Sequence, residues 1–244
     1  MRIETETNIG SIRSTNQDSC DCGFFSEKSV WGILCDGMGG ANAGNVASQL
    51  AVEKIRSFMV RNYYKGMSAG NIKSMLLNAI YRANSIVYEA SHEREELMGM
   101  GTTAVVLVAE ENKIHVAHVG DSRAYLMNGE GLRRLTTDHS FVQNLIDFGQ
   151  ITEMEARVHP KRNIITRCVG VHETVEADYA EAEFCRGDTV VACTDGLTSY
   201  MSDELLEEYI AQFSGKTLTE KLIRYAVESG GADNITVVTV SNDD

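Results

Sequence analysis

The chain has 244 residues, of which 43% are apolar, with a single proline and a formal charge of -13; that is enough apolar material for one large domain or two small ones. Such acidity excludes the phosphate backbone of a nucleic acid as partner, because that binding needs clustered Lys and Arg. The longest apolar run, residues 104–109, is too short to cross a bilayer, and the opening MRIETETNIG carries neither a secretory nor a transit pattern, so the expected location is the cytoplasm, away from membranes.

Residues 30–35 (VWGILC) form a short branched run ending in Asp36-Gly37, the pattern of a buried strand closed by a turn. Two helices are predicted next. Residues 43–64 repeat Ala47, Ala51, Ile55, Phe58 and Met59 along one face, and residues 71–92 repeat Ile72, Leu76, Ile80, Ala83 and Val87. The charged HEREE at 92–96 reads as a solvated helix end. From 102 to 135, four short apolar runs are broken by EENK, GDS and NGEG, turn sequences of the length that joins antiparallel strands, which predicts a meander. Residues 140–148 read as a helix capped by Asp138 or Ser140 and stopped by Gly149. The polar stretch 152–162 holds the only proline and predicts a short helix in a mobile surface segment. Strands at 188–192 and 235–240 enclose two helices within 203–228. No linker composition and no internal repeat interrupts the chain, so one domain over 1–244 is expected. The order of elements favours an α+β fold of antiparallel sheet with helices outside it over a parallel sheet.

Four aspartates stand where an apolar strand ends or turns: Asp36, Asp121, Asp195 and Asp233. Each alone reads as a turn residue. Together, with glycines close to every one, they read as a carboxylate cluster that backbone can approach closely. Carboxylates without Cys or His ligands select the hard cations Mg²⁺ or Mn²⁺. Two such ions about 4 Å apart can activate a water and clamp a phosphoryl group, and Arg13 offers the planar fork that suits the remaining phosphate oxygens.

These residues carry a resemblance that spans nearly the whole chain. Gly10-Ser11-Ile12-Arg13-Ser14-Thr15-Asn16-Gln17-Asp18, Asp36-Gly37-Met38-Gly39-Gly40, Gly101-Thr102-Thr103, Val119-Gly120-Asp121-Ser122-Arg123, Asp195-Gly196-Leu197 and Gly231-Ala232-Asp233-Asn234 resemble the ordered motif series of the type 2C metal-dependent protein phosphatases, most of all their bacterial branch. The resemblance implies a four-layer α-β-β-α sandwich of two antiparallel sheets and a binuclear Mn²⁺ or Mg²⁺ site. It implies hydrolysis of phosphoserine and phosphothreonine by direct attack of a water bridging the metals, on phosphoproteins made by a Ser/Thr kinase, by a monomer. By the same resemblance Asp36 bridges both ions, the Gly37 carbonyl binds one, Asp195 and Asp233 bind the other, and Asp18 orients water from behind. Asp121, with Asp195, matches the holder of a third, weaker ion; Arg13 matches the phosphate-binding arginine; residues 145–162 match a flap beside the site. Met38 and Gln17 depart from the pattern of animal members, which carry there a histidine proposed as general acid and a glutamate. Methionine has no proton to give, so the acid is left to a metal-bound water.

Other chemistries fit less well. A Cys-dependent phosphatase needs an Arg six positions after its Cys, where this chain has Ala41 after Cys35 and Thr174 after Cys168. An aspartyl nucleophile needs two aspartates two residues apart, nucleophile first, and Leu34 stands two residues before Asp36. Cys20 and Cys22 form no CxxC pair, and the cysteines read as buried or half-buried thiols. His115 and His118 lie on opposite faces of a strand and are poorly placed to share a metal; Asp138-His139-Ser140 reads as a helix cap. A catalytically weak relative acting as a binding or scaffold module, or a hydrolase of small phosphate esters, is the alternative.

Overall fold

The structure is a computed structural model that describes residues 1–39 and 43–243; Gly40, the last residue of the Asp36 motif, and Asp244 lie outside the described residues. Its strands are β1 (Arg2–Asn8), β2 (Asp18–Ser26), β3 (Ser29–Met38), β4 (Gly101–Thr102), β5 (Ala104–Glu110), β6 (Lys113–Val119), β7 (Arg123–Asn128), β8 (Gly131–Arg134), β9 (Asp178–Glu183), β10 (Thr189–Cys193) and β11 (Ile235–Ser241). Helices are α1 (Ala43–Asn62), α2 (Ala69–Glu93), α3 (Phe141–Asp147), α4 (Glu153–Arg157), α5 (Asp195–Thr198), α6 (Asp203–Gln212) and α7 (Gly215–Glu228).

The strands form two antiparallel sheets, ordered β1-β11-β10-β7-β8 and β2-β3-β5-β6-β9, with β4 beside β3. Alternation along each central strand explains the layering. In β5, Val105, Leu107 and Ala109 enter the core between the sheets, while Ala104, Val106 and Val108 face α1 and α2. In β11, Val238 and Val240 enter the same inner core, while Ile235 and Val237 face α6 and α7. Both faces are dry, which is why these strands are continuous apolar runs. On α2, Leu76, Ile80 and Val87 are fully buried, each contributing roughly 1.5–3 kcal/mol. The expected α-β-β-α sandwich is the fold observed.

The two long helices lie where the periodicity puts them. The expected meander is corrected: β5 and β6 form one hairpin, β7 and β8 another, and each belongs to a different sheet. Gly120–Ser122 is therefore a crossing between sheets, made possible by the positive φ of Gly120, +106°. Strands β1, β2 and β9 have no counterpart in the predicted elements. For α3 the cap is Ser140, which accepts from the Gln143 N–H; Asp138 instead receives Arg123, at 2.7 Å from Nη2. The short helix expected in 152–162 is α4, closed by a reciprocal Thr152–Glu155 capping box.

Candidate active site

The aspartates meet at one edge of the sandwich, drawn from both sheets. Asp36 belongs to β3, where it is the register partner of Asp18 on β2. Its N–H donates to Thr103 Oγ1 at 2.9 Å, and its carbonyl accepts from Thr102 Oγ1 at 2.8 Å and from the Thr103 N–H at 2.8 Å. Thr103 Oγ1 also meets Ser122 Oγ at 2.8 Å, so the Gly-Thr-Thr and Gly-Asp-Ser segments brace the strand end beside Asp121. The Gly37 N–H donates to Gln17 O at 3.1 Å. A methyl group at Gly37 would strike the carbonyl oxygens of Gly44 and Gln17, so only glycine fits.

From the other sheet, Asp195 opens α5 directly after β10, close enough to Asp233 and Asp36 for both to act on its carboxylate. A methyl at Gly196 would run into the Asn234 carbonyl. Asp233 precedes β11. Arg13 Nη2 donates to Asp233 Oδ2 at 2.7 Å, and Asp233 Oδ1 accepts from the Asn234 N–H at 2.8 Å. Asn234 organises the N-terminal loop: its Nδ2 donates to Ile9 O at 2.9 Å and Thr15 O at 3.0 Å, and its Oδ1 accepts from the Gln17 N–H at 2.8 Å. Asp18 Oδ2 accepts from the hydroxyls of Thr194 at 3.0 Å and Thr236 at 2.7 Å. All six residue positions singled out from the sequence as aspartate ligands, water-orienting Asp or phosphate-binding Arg thus converge here. Asn234, Thr194, Thr236, Thr103 and Ser122 complete the scaffold and were not singled out. For Asn234, Thr103 and Ser122 the signal was their place in the motifs quoted above; Thr194 and Thr236 had none, because they lie 176 and 218 residues from Asp18.

So many carboxylates in one dry place resist ionisation. Burial, followed by the charges of Asp18, Asp195, Asp121 and Asp233, holds Asp36 well above the usual carboxylate range. Burial pushes Asp18 up to about 7 against the opposing pull of its threonine hydroxyls. Burial and then Asp195 and Asp138 push Asp121 up to about 8, and burial and then Asp233 push Asp195 up to about 6. Asp18 Oδ1 and Asp121 Oδ1 are buried without a hydrogen-bond partner. Orphaned acceptors and mutually repelling carboxylates are the mark of a cation site, and an all-oxygen donor set fits Mg²⁺ or Mn²⁺. Arg123, which also lines the cleft, is committed to Asp138.

A cleft of about 770 Å³ opens over Asp121, Asp195 and Asp233. One wall is the excursion between Phe141 and Ile164, closed at its base by the Phe141 N–H donating to Ile164 O at 2.8 Å; it presents Arg157, Val158 and Arg162 to the cleft, and Tyr200 and Asp203 face them. A separate group, His118, His139 and Asp178, brings its ligand-type atoms within 4.8 Å of one another. It pairs His118 with a partner other than His115, on the neighbouring strand and loop.

A family model for protein phosphatase 2C matches residues 12–226 of the chain. The serine/threonine phosphatase stp of Listeria monocytogenes serotype 4b is 38% identical over 248 aligned positions, covering 100% of this chain and 96% of the relative. Among solved structures, the serine/threonine phosphatase of S. agalactiae superposes with a TM-score of 0.90 at 35% identity, covering 98% of each chain. The catalytic domain of the serine/threonine protein phosphatase PstP, in complex with two manganese ions, superposes with a TM-score of 0.82 at 32% identity, covering 98% of this chain and 96% of that one.

Proposed function

The chain belongs to the protein phosphatase 2C family and is a metal-dependent protein serine/threonine phosphatase acting on phosphoproteins; from that premise we propose which of its residues carry the reaction. Asp36 and the Gly37 carbonyl, with Asp195 and Asp233, hold a pair of Mn²⁺ or Mg²⁺ ions, and Asp121 with Asp195 holds a weaker third. The observation that carries this reading is the convergence of five carboxylates with two buried oxygens left unpartnered. The two manganese ions of the PstP structure support it.

When bound, the cations offset the carboxylate charge, lower the pKa of water and draw charge from the phosphoryl oxygens. The chain does the rest. Arg13 binds the non-reacting phosphate oxygens in a planar fork. Asp18, fixed by Thr194 and Thr236, accepts a hydrogen bond from the attacking water and aims it in line. The flap wall screens the cleft from bulk solvent. Among the described residues lining the cleft there is no histidine, so the leaving alkoxide takes its proton from solvent held there.

We further assign residues 1–244 to a single catalytic domain with its flap at 145–162, acting as a monomer in the cytoplasm on products of a Ser/Thr kinase, with neither nucleic acid nor membrane as partner. The net charge of -13 supports the exclusion of nucleic acid. No helix among the described residues is long and apolar enough to cross a membrane. Turnover of a phosphothreonine peptide is expected to vanish in chelator and return with Mn²⁺; turnover that persists in chelator would overturn the assignment of these carboxylates as cation ligands.

A further inference from the structure

One residue outside the aspartates grips the crossing that carries Asp121. The His139 N–H donates to Gly120 O at 2.9 Å, and the Gly120 N–H donates back to His139 Nδ1 at 3.2 Å. Both polar groups of the Gly120 backbone are thus held by a single partner. A methyl at Gly120 would press on the Thr103 side chain, so the turn has no side chain of its own with which to stiffen itself. His139 also anchors the flap: its carbonyl accepts from the Thr166 N–H at 2.8 Å, and the next residue, Ser140, bridges to Ile165 and caps α3. The residue that shapes the Asp121 turn therefore also holds, through Thr166, the antiparallel bridge next to the Phe141–Ile164 bond that closes the base of the flap.

The ring is fixed as firmly as the backbone. His139 is 6% exposed and stacks on His118, with centroids 4.7 Å apart and planes 22° apart; His118 Nε2 in turn donates to Thr137 O at 2.8 Å. The buried Gly120 N–H needs an acceptor, so His139 Nδ1 keeps its lone pair and the proton resides on Nε2. Asp178 Oδ2, 3.3 Å away, accepts from that N–H, while Asp178 Oδ1 accepts from Arg167 Nη1 at 3.2 Å. Arg167 Nη1 also lies 3.4 Å from His139 Nε2. Stacked imidazoles aim their in-plane lone pairs along nearly parallel planes, and Arg167 already places a cation beside Asp178. The three-residue group is therefore a hydrogen-bonded support and not a further metal centre.

We propose that His139 is a positioning residue: through its paired bonds to Gly120 it sets the Asp121 carboxylate and ties that placement to the base of the flap. The inference rests on the reading of Asp121 as ligand of the weaker cation. It is tested by Mn²⁺ binding calorimetry, together with the Mn²⁺ dependence of turnover, on Asp121→Ala, His139→Phe, His139→Gln, His139→Asn and the Asp121→Ala/His139→Phe double variant. Asn places an acceptor oxygen near the Nδ1 position, whereas Gln reaches the Nε2 side and leaves Gly120 unpaired. The Phe and Gln variants are expected to weaken the lower-affinity Mn²⁺ event by about tenfold, as loss of an outer support does at metal sites, and Asn to recover to within about twofold. Adding His139→Phe to Asp121→Ala is expected to change Mn²⁺ binding no further. If Asp121→Ala shifts Mn²⁺ binding and neither His139→Phe nor His139→Gln does, or if Asn fares no better than Gln, His139 is not the positioning residue. If Asp121→Ala itself leaves Mn²⁺ binding unchanged, the ligand reading fails and takes this inference with it. Should the Phe variant not fold, the comparison of Asn with Gln decides alone.

Discussion

Asp18 offers the clearest measurement of charge held against its own preference. Replacement by Asn keeps an oxygen for the hydroxyls of Thr194 and Thr236 and removes the charge opposite Asp36. A carboxyl at about 7 in the folded chain, against 3.8 in an open one, binds a proton more tightly when folded. Its cost to stability is therefore absent below pH 4, grows as pH rises and is complete above pH 7. At about 1.4 kcal/mol per unit the full cost is on the order of 4 kcal/mol, of which less than half has accrued at pH 5. The greater part, roughly 2–3 kcal/mol, then develops between pH 5 and pH 8, which for a chain of this size is a change of about 5–10 °C in Tm. Scanning calorimetry in chelator should find Asp18→Asn more stable than the parent, with the gap widening by that amount from pH 5 to pH 8. Saturating Mn²⁺ should narrow the gap, because cations held by the neighbouring carboxylates offset the Asp18 charge that penalises the parent and that the variant lacks. A gap that stays constant across the pH range, or a parent more stable than Asp18→Asn at pH 8 in chelator, would refute the reasoning.

Other substitutions separate the roles within the site. Asp233→Ala should abolish turnover of a phosphothreonine peptide, whereas Asp121→Ala should lower it and raise the Mn²⁺ concentration required; equal rates at every Mn²⁺ concentration would remove Asp121 from the ligand set. Gly196→Ala, whose new methyl would collide with the Asn234 carbonyl, should lose activity and about 2 kcal/mol or more of stability to denaturant through overpacking. Cys35→Ser should keep full turnover, and iodoacetamide should fail to modify Cys35 in the folded protein at pH 8, because burial drives its thiol far above the ordinary range.

The sequence made the two long helices legible because α1 and α2 repeat small and branched residues at helical spacing over 20 and 25 residues. The candidate ligand aspartates were legible because Asp36, Asp121 and Asp195 each follow a short apolar run and Asp233 stands just before one. Strands β1 (RIETETN) and β9 (DYAEAE) were not, since an edge strand half open to solvent carries polar residues that disguise it. β2 (DSCDCGFFS) is another edge strand of the same kind. The turn between β6 and β7 was legible as a turn, but its sheet-crossing path was not; GDS has the length of a hairpin loop, and only packing decides where the next strand goes. The support beneath the carboxylates was hidden for a different reason. Thr194 and Thr236 look like ordinary strand residues, and their role appears only when Asp18, from the far end of the chain, is laid against them.

The clasp made by Asn234 also governs when the enzyme can first work. Asn234 holds Ile9, Thr15 and Gln17, and β11 lies between β1 and β10 in its sheet, so the N-terminal loop with Arg13 has no seat until residue 235 and its neighbours have left the ribosome. A chain cut before Asp233 keeps Asp36 but loses the carboxylate that Arg13 pairs with. Such a fragment also lacks β11, the strand that lies between β1 and β10, so the first strand loses its neighbour in the sheet.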